Sequence, residues 1–187
     1  MSQRPPVVQK ALAKGSTVPG RQDDHRLLLP PSFARLTTDQ LVDTCPYCGR
    51  FSLACWDCED RGHSDNDHCR QIIYTDGACS RNGNVGATAG IGIASGIYTN
   101  QQWSERIPDR DASGAAPTSQ QAELQAAIAG LKRAQTSGAT ECCRRSWSSE
   151  YHYSRYYVVA TDSEYVVKGI TEWYPQWMVR SSPISSP

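Results

Sequence analysis

The sequence predicts a mixed α/β domain in the order β-β-β-α-β-α, preceded by a small Cys-rich module. Three observations carry this. Short apolar runs that end in turn chemistry lie on both sides of one helix-length amphipathic stretch. The run YYVVATD (156–162) is apolar on both faces, as a strand buried by parallel pairing would be. The helical stretch separates it from the first run, IIYTDGAC (72–79), so the two strands are expected to be parallel neighbours through a crossover.

In order along the chain, residues 1–40 are rich in Pro, Gln, Arg and Lys, lack sustained periodicity and read as a disordered tail and linker. Residues 41–70 hold the Cys/His cluster and residues 71–177 the α/β domain. After the first strand, the turn SRNGN leads into ATAGIGIASG (87–96), and QQWSERIPD (101–109) alternates as a third strand. Thr118 or Ser119 is suited to cap the helix that follows. Within AELQAAIAGLKRA, Leu124, Ile128 and Leu131 recur at i, i+4 and i+7 as its apolar positions. Lys132 and Arg133 suit the negative end of the helix dipole, and Ser137 and Gly138 end it. SEYVVKGITEWYPQW reads as a second helix, capped by Ser163 and broken before Pro175. Residues 178–187 are Ser/Pro-rich and read as an unstructured tail.

Composition narrows the class. Lysine plus arginine equal aspartate plus glutamate at 19 each, so any basic surface must be local. No apolar run reaches the length of a membrane span, which predicts a soluble protein with no membrane partner. The opening MSQRPPVVQK lacks the apolar core of a secretory signal. Residues 1–22 carry four basic residues and no acid, but Pro5, Pro6 and Pro19 interrupt any presequence helix. The expectation is an intracellular protein of nucleus or cytoplasm rather than mitochondrion. Six of the eight cysteines lie within 45–79. A reducing compartment favours metal over disulfides for such a cluster.

Asp76 and Asp162 each follow an apolar run, and Glu123 lies one turn into the crossover helix. If the two strands are neighbours, the three acids emerge near one sheet edge. Converging carboxylates repel unless a cation compensates them. Hard oxygen donors suit Mg²⁺ or Mn²⁺. Two such ions about 4 Å apart can activate water and stabilise a leaving oxygen in phosphodiester hydrolysis. Taken singly, an acid at a strand end reads equally as a solvated cap.

YTDGACSRNG, AGIGIA, TSQQAELQAAIAGL and ATDSEYVVKGITEWYPQW, in that order, resemble ribonuclease H of the cellular type. The resemblance spans roughly residues 72–177. It implies a mixed sheet flanked by helices and endonucleolytic cleavage of RNA in RNA/DNA hybrids. It carries Asp76, Glu123 and Asp162 over as catalytic metal ligands. It implies substrate contacts at Ser80 and Asn82, the latter toward a ribose 2′-hydroxyl, and at Thr118, Ser119 and Gln120. It also implies an aromatic groove of Tyr165, Trp173 and Trp177, whose other reading is packing of an amphipathic helix. Ser119 stands where family members often have Asn, and Ala116 where many have a phosphate-binding Arg. The resemblance implies a carboxy-terminally truncated domain, without the family's fourth carboxylate, last strand and final helix, and with an unusually long insert at 141–157. Weak or absent activity, marginal stability and a monomer are the corresponding expectations.

Cys45-Pro-Tyr-Cys48 and Cys55-Trp-Asp-Cys58 are two C-x-x-C pairs with six residues between them, followed by His63, His68 and Cys69. Such pairs commonly wrap a structural Zn²⁺. Either the four cysteines close one site, or one pair joins His63, His68 or Cys69; unliganded thiols are the other reading. Three functions are therefore carried forward: a ribonuclease H, a non-catalytic nucleic-acid-binding remnant of one, and a zinc-binding interaction module.

Overall fold

The structure, a computed structural model, describes residues 27, 29, 31–54, 70–136, 156–174 and 176–177. Expectations for residues 1–26, for Cys55, Cys58, His63, His68 and Cys69, for the insert from 141 to 155 and for the tail from 178 lie outside the described residues.

Among the described residues, six strands make one mixed sheet around β3 (Arg70–Ser80). β4 (Thr88–Ala94) pairs antiparallel with β3 from Tyr74↔Ala94 to Ser80↔Thr88, and β5 (Gln102–Ile107) pairs antiparallel with β4. β6 (Tyr156–Ala160) runs parallel to β3, from Arg70↔Tyr156 to Tyr74↔Ala160. Helix α2 (Ser119–Thr136) lies between β5 and β6 in the chain and makes the crossover. The β-β-β-α-β-α order holds. Two further strands precede it: β1 (Val42–Thr44) and β2 (Phe51–Leu53) form a hairpin that joins β3 at Ser52↔Gln71.

Strand alternation sends Ile73, Thr75 and Gly77 toward α2. The helix meets them with Ala122, Ala126, Ala127, Gly130 and Ala134, all buried. A Cβ on Gly77 would overlap the backbone of Ala122 and Glu123, and one on Gly130 would lie 2.6 Å from Thr75 Cγ2. The expected apolar positions are thus not the buried stripe. Leu124, Ile128 and Leu131 are 38%, 43% and 44% exposed. A helix that approaches a sheet this closely admits only Ala and Gly at the contact, and the larger residues are displaced to its flank.

The opposite face of β3 is covered by chain that the sequence places in the linker. Phe33–Arg35 form a 3₁₀ turn and Thr38–Leu41 the short helix α1. Gln40 Oε1 accepts from the Thr37 N–H at 2.9 Å and closes the first turn. Leu41, Leu53 and Ile72 form a buried cluster, with Leu27, Leu29, Phe33, Leu36, Phe51, Tyr74, Val158 and Ala160 packed on it. The linker expectation is corrected here because irregularly spaced leucines and phenylalanine still pack against a sheet; full burial of such a side chain contributes about 1.5–3 kcal/mol and the partial burial of Leu27, Leu29, Phe33 and Leu36 correspondingly less.

Helix α3 (Glu164–Lys168) starts on Ser163, whose Oγ accepts from the Val166 N–H at 3.2 Å. It widens into a π turn over Gly169–Trp173. The backbone is still helical at Gln176 and Trp177, past the expected break.

Candidate active site

Asp76 does not end its strand. β3 continues to Ser80 because its hairpin partner β4 stays in register to Thr88. What ends near Asp76 is the parallel partner: the last β3–β6 pair is Tyr74↔Ala160. Asp76 and Asp162 each stand two residues beyond that pair, at matching positions. Both are exposed, and both line one groove of about 530 Å³ with Tyr74, Gly92, Gln102 and Ser104. Burial raises the Tyr74 phenol above its ordinary value.

Glu123 is half-buried on α2. Its backbone N–H lies against Gly77, the residue after Asp76. Its carboxylate accepts a hydrogen bond from Ser163 Oγ, and Ser163 follows Asp162. Each aspartate is therefore one residue from a direct tie to Glu123. Among the described residues, no three carboxylate, imidazole or thiol groups stand close enough to hold one ion between them. The two aspartates share the groove, while Glu123 is turned to Ser163. Sequence reading placed Ser163 only as a helix cap; its second role depends on a contact 40 residues away.

The substrate candidates fall into two groups. Asn82, Thr118 and Ser119 lie where the β3–β4 turn touches the start of α2, and Ser80 stands at the end of β3 at the base of that turn. Asn82 Oδ1 accepts from the Ser119 N–H at 2.8 Å, and the Gly83 N–H donates to the Pro117 carbonyl at 2.9 Å. Ser80 Oγ lies 2.7 Å from Thr88 Oγ1. Thr118 caps α2: its Oγ1 accepts from the Gln121 N–H at 3.2 Å and its own N–H donates to Gln121 Oε1 at 3.0 Å. Gln120 is exposed on the first turn. The turn needs left-handed backbone at Arg81 (φ 54°) and Gly83 (φ 74°).

The second group is aromatic. Tyr165 and Trp173 pack edge-on with centroids 5.3 Å apart, and Trp173 and Trp177 are 6.5 Å apart. Tyr165 is 39% and Trp177 55% exposed, so this row is a surface feature rather than core. The Glu123–Ser163 bond ties the starts of α2 and α3 and so links the elements that carry the two groups.

The family model for RNase H matches residues 68–186. The chain belongs to the ribonuclease H family. A ribonuclease H from Cyanothece is 37% identical over 105 residues, covering 56% of this chain and 52% of the relative. Ribonuclease H1 of Mus musculus is 32% identical over 106 residues, covering 57% of this chain and 30% of the relative. Ribonuclease H of Schizosaccharomyces pombe is 32% identical over 108 residues, covering 58% and 32%. The chain thus spans about half or less of the length of these relatives. Among solved structures, the foamy viral protease-reverse transcriptase in complex with dsDNA is similar over 59% of each chain. Its identity is 24% and its TM-score 0.40, a likeness too loose to place any residue.

Proposed function

We propose that this chain hydrolyses the RNA strand of RNA/DNA hybrids as a monomeric intracellular endoribonuclease, with Asp76, Glu123 and Asp162 holding a pair of Mg²⁺ or Mn²⁺ ions. The observation that carries the reading is the matched position of Asp76 and Asp162 beyond the last β3–β6 pair, with Glu123 tethered beside them. The donor set suits a hard divalent cation, because all three groups are carboxylates and two are open to one groove. Bound there, such ions supply an activated water and neutralise charge at the phosphodiester. The chain's own residues do the positioning. Ser163 orients one Glu123 oxygen, Asn82 and Ser119 order the turn that reads the ribose, and Gln120 is exposed on the helix turn that follows. Tyr165, Trp173 and Trp177 offer ring faces to the DNA strand. Zinc, as a second and structural metal, belongs to the Cys-rich segment in this reading.

The test is Mg²⁺-dependent cleavage of a labelled hybrid by the purified chain. Asp76→Asn and Asp162→Asn are each expected to lower the rate by more than about 100-fold with the fold unchanged. Ser163→Ala, which acts through Glu123, is expected to cost about 10–100-fold. Tight hybrid binding without cleavage in the unsubstituted chain would replace this reading with the non-catalytic remnant.

A further inference from the structure

The turn between β1 and β2 is Cys45-Pro46-Tyr47-Cys48-Gly49. Both cysteines are buried, at 4% and 8% exposure, while Tyr47 between them is 69% exposed. The backbone curls around the first sulfur. The Cys48 N–H donates to Cys45 Sγ at 3.4 Å and the Gly49 N–H to the Cys45 carbonyl at 2.8 Å. Gly49 has φ 69°, and a Cβ there would strike the Tyr98 ring and Ile97. Two small buried apolar side chains would need none of this. Sulfur accepts hydrogen bonds weakly as a thiol and more strongly when it carries charge. A tight C-x-x-C turn with an N–H directed at sulfur is the arrangement that presents two thiolates to one tetrahedral ion.

The turn is also docked on the sheet. The Cys48 carbonyl accepts from the buried Gln101 Nε2 at 2.7 Å, and the Gly49 carbonyl from the Ile97 N–H at 2.9 Å. The Phe51 N–H donates to the Ser95 carbonyl at 3.0 Å. Strands of three residues are marginal by themselves. We infer that Cys45 and Cys48 are two thiolate ligands of a structural zinc ion, and that this ion holds the β1–β2 turn in the closed shape whose carbonyls dock on the β4–β5 connection. The inference rests on the zinc reading above and narrows it to this turn; it does not depend on the carboxylate site.

The experiment uses the full chain, purified reduced, with zinc measured by elemental analysis and cobalt used as a spectroscopic substitute. One zinc per chain is expected, with thiolate-to-cobalt charge-transfer bands. Cys45→Ser and Cys48→Ser should each weaken metal binding by at least about 100-fold, and Cys79→Ala, outside the hairpin, should keep it. Chelation should lower the Tm of the unsubstituted chain and leave that of the Cys45→Ser chain unmoved. Less than one zinc per chain, or no charge-transfer band, overturns both the zinc reading and this inference. Zinc retained by both serine variants overturns the inference alone. The cobalt spectrum of the unsubstituted chain decides the matter even where a serine variant fails to fold.

Discussion

On the face of β3 that carries Ile73, Thr75 and Gly77, helix α2 comes in on alanines and a glycine until helix and strand backbones touch. On the face that carries Ile72 and Tyr74, the amino-terminal segment fills the space with leucine and phenylalanine instead. The two faces therefore fail in opposite ways. The first has no room to gain an atom, and the second has bulk to lose. The difference reaches the candidate site, because the tightly packed face is the one that holds Glu123 beside Gly77.

The largest stability effect is expected on the side-chain face. Leu41 is 1% exposed, and Leu41→Ala should destabilise by about 2–5 kcal/mol in denaturant unfolding through transfer and cavity losses. A change below 1 kcal/mol would show that the amino-terminal segment covers the sheet without stabilising it. Next, Gly77→Ala should cost about 1–3 kcal/mol by overpacking against Ala122 and Glu123. It should also lower hybrid cleavage, because α2 must retreat and carry Glu123 with it; normal stability with normal activity would refute the close approach. On the flank of the same helix, Leu131→Gln should fall within about 0.5 kcal/mol. Leu131 is 44% exposed, so a larger loss would mean that this side is covered.

The smallest effect lies in the exposed turn after β5, which touches neither face. The Ser113 hydroxyl at 2.6 Å and the Ala115 N–H at 2.9 Å hold the Asp111 carboxyl below the usual carboxylate range. A depressed pKa means that the contribution is present above the unfolded value and lost as pH falls through the lowered folded value. Ser113→Ala should move the Asp111 titration upward in an NMR pH series; an unmoved titration would refute the hydroxyl's role.

Much of this molecule was readable from residue order. The apolar runs marked β3 and β6, Thr118 and Ser163 marked the helix starts, and the four sequence blocks marked the family. These are local signals: alternation, capping and turn chemistry act within a few residues. Asp76, Glu123 and Asp162 were picked out by residue type and by those blocks. Their common sheet edge was expected from the pairing of the two strands; the Ser163 hydroxyl reaching Glu123 was not, because it joins residues 40 apart in the chain.

By itself, then, the sequence determined strands β3 to β6, helices α2 and α3, and which acids, aromatics and cysteines are available. Tertiary structure decided which faces are buried. It turned Leu124, Ile128 and Leu131 outward, since an Ala/Gly surface can approach a sheet more closely than a leucine stripe. It made a cover out of residues 31–41, since burial needs apolar area near the sheet and not periodicity. It also wrapped backbone N–H groups around Cys45, because the β1–β2 register and the dock on Gln101 hold that turn closed.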